Sequence, residues 1–231
     1  MRRNAASAVG VWLLACATLP AVASDFWEEK DFTTWSDKEV EKMLTDSPWA
    51  KQVRTIIGGS LTEGDGPSIV PPSQVNPECG GGQFDRIRRT KVTIAWSTAL
   101  PIRQATVRKA IGLDAPISPE SQQELETVPP VYVVTLSGLP PTLRWLATAV
   151  PAIQAETILK RKDKAPIAVK SVRVFQNKQS QLISLEFQFS KTDAITVEDG
   201  EVELITKLGS TGDLKKKFKL SDMVFGDELE L

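Results

Sequence analysis

The chain has 231 residues, 41% apolar and 25% charged, with a formal net charge of −1 and no histidine. That is too apolar for a chain disordered throughout, and long enough for one sizeable core or two small ones. Without histidine there is no Ser-His-Asp or Cys-His nucleophilic site, no His-ligated zinc and no histidine pH switch.

The first 24 residues read as a signal peptide. Arg2 and Arg3 form a positive start, residues 8–17 (AVGVWLLACA) an apolar centre, and Ala21-Val22-Ala23 a small-x-small cleavage signal. The apolar run is too short for a transmembrane span, and nothing later in the chain approaches one. A rival reading makes Leu13-Leu14-Ala15-Cys16 a lipobox with Cys16 as the lipidated residue; ordinary cleavage near Ala23 or Ser24 ranks above it. Cleavage would take Arg2 and Arg3 from 28 basic residues set against 29 acidic ones. The mature chain is then mildly acidic and has no overall field for nucleic acid or anionic lipid. Cys79 would be its only thiol, so no internal disulfide is expected.

Residues 25–57 form an N-terminal segment organised around WSDKEVEKMLTDSPWAK. Ser36 as N-cap with Glu39 three residues on makes a capping box, and Trp35 with Val40 the two positions of a hydrophobic staple. Val40, Met43 and Leu44 give a short helix its apolar stripe, and Pro48 stops it near Thr45 or Asp46. A strand is expected over residues 53–57. Residues 58–84 hold seven of the fourteen glycines and prolines at 67, 71, 72 and 77, the composition of a linker.

The body runs over residues 85–231. Val92, Ile94 and Trp96 share one face of a strand. A helix is predicted over 100–111, with Pro101 in its first turn and Gly112 past its end. Ser118-Pro119-Glu120 opens a short exposed helix, and residues 131–136 (VYVVTL) a buried central strand. A second helix over 139–150 would place Leu143, Leu146, Ala147 and Val150 on one face, ended by Pro151. Period-two patterns follow over 157–161, 169–175, 182–189, 201–206 and 214–220, with a last strand at the closing ELEL. The fold class is α+β: a mainly antiparallel sheet with two or three helices, preceded by the signal peptide and the short N-terminal helix.

The chemistry left open is narrow. Two cysteines cannot build Cys-cluster zinc or iron–sulfur sites. The phosphate loop, the dinucleotide fingerprint, the nucleophile elbow and the calcium loop are all missing, so no cofactor and no metal is predicted. Cys79 in ECGGG lacks the neighbouring cation or helix start that activates a thiol. Carboxylates remain, but most of Asp37, Glu39, Glu41, Asp46, Asp193, Glu198, Asp199, Glu201 and Glu203 fit caps, turns and solvent faces. The basic runs at 86–91, 160–164 and 215–219 fit solvated strand faces, and on an edge strand lysines deter further pairing. Trp27, Trp35 and Trp49 are the candidate binding residues, as a platform for stacking sugars. Against that role, indoles bracketing a short helix more often anchor it.

The segments WSDKEVEKMLTDSPWAK, IAWSTALPIRQA and EVELITKLG…LKKKFKLSDMVF resemble a group of uncharacterised exported bacterial proteins. In these a WS-x-x-E-x-x-K-x-L-x-DSPWAK segment precedes an α+β body. The resemblance implies export and this order of segments, and brings no catalytic residue. The sequence thus points to an exported cell-envelope protein acting as a non-enzymatic binding or interaction module, with an envelope protein as a possible partner. The alternative is a carboxylate-dependent hydrolase acting on envelope glycans.

Overall fold

The computed structural model describes residues 25–56, 89–112, 115–208 and 213–231. The predicted signal peptide with Cys16, the predicted linker 58–84 with Cys79, and residues 209–212 lie outside them.

The chain enters through a four-residue helix, α1 (Phe26–Glu29), and a 3-10 turn (Phe32–Thr34). Then comes α2 (Asp37–Thr45), started by a reciprocal box. The Ser36 N–H and hydroxyl donate to Glu39 Oε2 at 2.8 and 2.7 Å, and the Glu39 N–H returns to Ser36 Oγ at 3.4 Å. Trp35 and Val40, the staple positions, are both buried. Ser47 turns the chain by donating to the Met43 carbonyl at 2.7 Å and accepting from the Ala50 N–H at 3.2 Å.

That turn joins β1 (Asp46–Ser47) to β2 (Ala50–Ile56). β2 begins three residues before the expected strand, because Ala50 pairs with Ala95 and the Trp49 carbonyl accepts the Trp96 N–H at 2.9 Å. Its partner is β3 (Arg89–Trp96), matched from Ala50↔Ala95 to Ile56↔Arg89. The N-terminal segment and the body therefore share one sheet.

The remaining strands are β4 (Val131–Leu139), β5 (Ile158–Arg161), β6 (Ile167–Gln176), β7 (Ile183–Ser190), β8 (Glu201–Lys207) and β9 (Asp213–Lys219). Their order is β1-β2-β3-β4-β7-β6-β5-β8-β9, and every pairing is antiparallel. With its helices this is an α+β architecture, the sheet curling into a half-barrel. The curl is visible in Trp96 of β3, which meets Tyr132 of β4 edge-on at 5.9 Å and Phe218 of the far edge strand β9 at 5.8 Å. Alternation drives it: Ile183, Leu185, Phe187 and Phe189 are all buried while Ser184, Glu186 and Gln188 are half-exposed. β4, read as a continuous apolar run, alternates too, since Val131 and Val133 are half-exposed beside buried Tyr132 and Val134.

At the β4 bulge, Gly138 holds φ +88°, and a Cβ there would stand 2.9 Å from the Lys91 carbonyl oxygen of the neighbouring strand. Only glycine fits that approach.

α3 (Leu100–Ile111) and α4 (Pro119–Glu126) follow their sequence signals, α3 ending at Gly112 with φ +83° and α4 capped by Ser118. The expected helix over 139–150 is corrected. β4 continues to Leu139, a 3-10 segment covers Pro141–Ala147 with a kink at Leu143, and Ala147 is exposed. Pro151 begins a helix, α5 (Val150–Ala155), instead of ending one. A proline with no N–H to lose fits a first turn, where that N–H would have no partner. The closing ELEL is shortened likewise: β11 (Glu228–Leu229) pairs only with β10 (Val224–Phe225), apart from the main sheet.

Candidate functional site

Three stretches distant in sequence meet beside α3. Leu100, Gln104 and Arg108 recur every fourth residue, which places them along one side of the helix. The second wall is α4, through Gln122, Leu125 and Glu126, with Ala115, Pro116 and Ile117 closing one end. The third is the turn after α1, where Asp31, Phe32 and Thr33 approach. The enclosed cleft has a volume of about 670 Å³, within the range of small-molecule sites.

Local chemistry holds each wall. Asp31 Oδ1 accepts from the Thr33 N–H at 2.9 Å and from its hydroxyl at 2.5 Å, capping the 3-10 turn. Those two bonds, the hydroxyl's first, hold the Asp31 carboxyl below its ordinary pKa. Arg103 ties α3 to α4 by donating to the Glu124 carbonyl, and Lys109 ties α3 to α2 through Glu41 at 3.0 Å. Arg108 is only 3% exposed and donates from Nη1 to the Ala115 carbonyl at 3.2 Å. The side-chain oxygen of Gln104 is buried and accepts no hydrogen bond.

A second cleft, of about 730 Å³, lies between Asp25, Trp27, Glu28 and Pro48 on one side and the segment 221–227 on the other. Its carboxylates are engaged in part: Asp222 with Lys219 at 2.7 Å, Asp25 with Lys42 at 3.8 Å. Lys42 Nζ also stands 5.4 Å from the centre of the Trp27 ring.

The three tryptophans named as candidate binding residues lie inside the fold. Trp27, Trp35 and Trp49 are 5%, 1% and 0% exposed. Trp35 packs edge-on with Phe26 and Phe32, and its Nε1–H donates to the Lys30 carbonyl at 3.2 Å. Trp49 stands between Trp27 at 5.9 Å and Phe225 at 6.2 Å. None of these three indole faces is presented as a sugar platform; of the three, Trp27 borders the second cleft.

Several of the acidic candidates make structural contacts. Asp193 joins the fully buried Arg161 side chain, which also donates to the Ala165 carbonyl at 2.8 Å. Asp199, against the opposing cost of burial, is held low by Lys164 at 2.7 Å and the Thr196 N–H. Among the described residues, every carboxylate with a displaced pKa is displaced downward, none toward a proton donor. The lysines at 215–219 lie on the edge strand β9, where Lys217 meets Glu201 at 2.9 Å. Among the described residues, no group of three or more acidic, Cys or His side chains is placed to hold a metal. No helix among them is long and apolar enough to cross a membrane.

The cleft beside α3 was missed from sequence. One signal was there: Ile102 and Ala105 trace a buried stripe that Arg108 continues, a charge where the pattern calls for an apolar residue. No protein-family model, no curated protein and no solved structure matches this chain.

Proposed function

We propose that this is an exported cell-envelope protein acting as a non-enzymatic binding module, with the cleft between α3 and α4 as its ligand site. The observation that carries the reading is the cleft itself, about 670 Å³ lined by Phe32, Leu100, Pro116, Ile117 and Leu125 with polar side chains such as Asp31, Gln122 and Glu126 among them. Small-molecule sites have that composition, an apolar lining with a few placed polar groups. The leader at residues 1–24 and the resemblance to exported proteins support the location, with Cys16 the lipidated residue under the rival reading.

The glycan-hydrolase alternative has less support. A glycosidase's acid needs its pKa raised by apolar surroundings, and the displaced carboxylates among the described residues all go the other way.

Envelope extract passed over the immobilised mature protein should leave a ligand or partner on the wild type. Gln122→Trp, which fills the cleft from an exposed position on α4, should fail to retain it. Equal retention by both proteins, or by neither, counts against the cleft. The intact mass of protein recovered from the envelope tests export separately, because an uncleaved leader contradicts it.

A further inference from the structure

What a ligand can touch in the cleft narrows its class, an inference that rests on the binding reading above. The polar groups of the α3 wall are largely sealed. The Gln104 side-chain oxygen has under 1 Å² of accessible surface, and Arg108 is 3% exposed and donates to the Ala115 carbonyl. Phe32, Leu100 and Ile117 are half-exposed, so much of the surface within reach is carbon. Asp31, Thr33, Gln122 and Glu126 are the exposed polar members of the lining. Burying a polar group without a partner is costly, so a ligand's polar head belongs with those exposed side chains and its body with the carbon. The cleft is also long. Leu100 and Arg108 both line it, and eight residues of helix span about 12 Å.

We infer that the cleft binds a single aliphatic chain, laid along α3 against Phe32, Leu100, Ile117 and Leu125, with its polar head among the exposed side chains. At carbon–carbon bond lengths, an extended chain of about ten carbons fills the 12 Å span. A sugar, polar all round, would give up water from its hydroxyls and meet mostly carbon in return.

The test titrates 1-hexanol, 1-octanol, 1-decanol and 1-dodecanol, with N-acetylglucosamine as the polar comparison, into the isotopically labelled protein. The backbone amide shifts of Leu100, Gln104 and Leu125 report binding. Each methylene buried should tighten binding about three- to fourfold. The gain should stop at about ten carbons, where the cleft is full. Gln122→Trp should abolish the shifts, whereas Gln123→Trp, exposed on α4 outside the cleft lining, should leave them. Affinity that does not rise with chain length, or N-acetylglucosamine binding tighter than decanol, overturns the inference. So does a chain-length gain that survives Gln122→Trp, because the chain then lies elsewhere. The binding reading is judged separately, by the retention from envelope extract. Retention that Gln122→Trp removes keeps that reading even if every alcohol fails, and if retention and alcohols both fail, both fall.

Discussion

The indole N–H of Trp49 donates to the backbone carbonyl of Glu230 at 2.8 Å, across 181 positions of sequence. The Glu230 carboxylate in turn accepts the Leu100 N–H at 3.0 Å, at the start of α3. One residue near the C-terminus thus holds the turn after α2 and the helix that walls the cleft. Trp27, Trp35 and Trp49 lie around α2, and this clasp is fastened from the far end of the chain.

Trp49→Phe keeps most of the buried surface and removes one donor, leaving a carbonyl unsatisfied. Urea unfolding should show a loss of about 1–3 kcal/mol, the cost of a buried group deprived of its partner. Trp49→Ala should cost more, about 3–5 kcal/mol, because a cavity is added. No loss in Trp49→Phe would show that the hydrogen bond contributes nothing.

The Glu39 carboxyl is lowered from 4.5 to about 2 by the Lys30 ammonium, then by the Ser36 N–H and hydroxyl. A depressed carboxyl stabilises the fold above its unfolded pKa, and that stabilisation is lost as pH falls through the folded one. Glu39→Gln should therefore be less stable than wild type at pH 7, by about 1 kcal/mol for a weakened cap. The gap should close between about pH 4.5 and 2. Denaturation midpoints measured across that window check it, and a gap constant with pH would contradict the assignment.

Gly138→Ala combines a positive φ with a Cβ 2.9 Å from the Lys91 carbonyl, so β3 and β4 must separate or the bulge must shift. The expected loss is about 1–3 kcal/mol. Hydrogen exchange should show it first at the β3–β4 ladder. Gly112→Ala, whose Cβ would meet nothing within 4 Å, provides a comparison that isolates the conformational part.

Of the tryptophans in the described residues, Trp27, Trp35, Trp49 and Trp96 are buried and Trp145 is half-exposed. In protein lacking residues 1–24, acrylamide should quench mainly Trp145, and Trp145→Phe should remove most of the accessible emission. Strong residual quenching in that variant would put one of the clasp indoles in solvent and revive the stacking platform.

Local signals proved legible wherever the partner lay within a turn or on the next residue but one. The Ser36–Glu39 box forms, Gly112 ends α3, and the alternation of residues 183–189 yields a strand. The failures share a cause. Pro151 can end one helix or start the next, and the choice falls to how β4 delivers the chain through Pro140 and Pro141. For Trp27, Trp35 and Trp49 the sequence favoured anchors over a platform without placing them, since an indole's role depends on what covers it.

By itself, then, the sequence determined the identity of most strands, two helix starts and ends, and the chemistries closed to a chain without histidine. Those follow from steric and hydrogen-bonding preferences that act within a few residues. The tertiary structure alone decided the strand order, the curl that sets Trp96 against Phe218, the burial of the three clasp indoles, and a cleft drawn from residues 31–33, 100–108 and 115–126. Its walls come together because apolar surface is removed from water wherever the fold brings it into contact, however far apart its pieces lie along the chain.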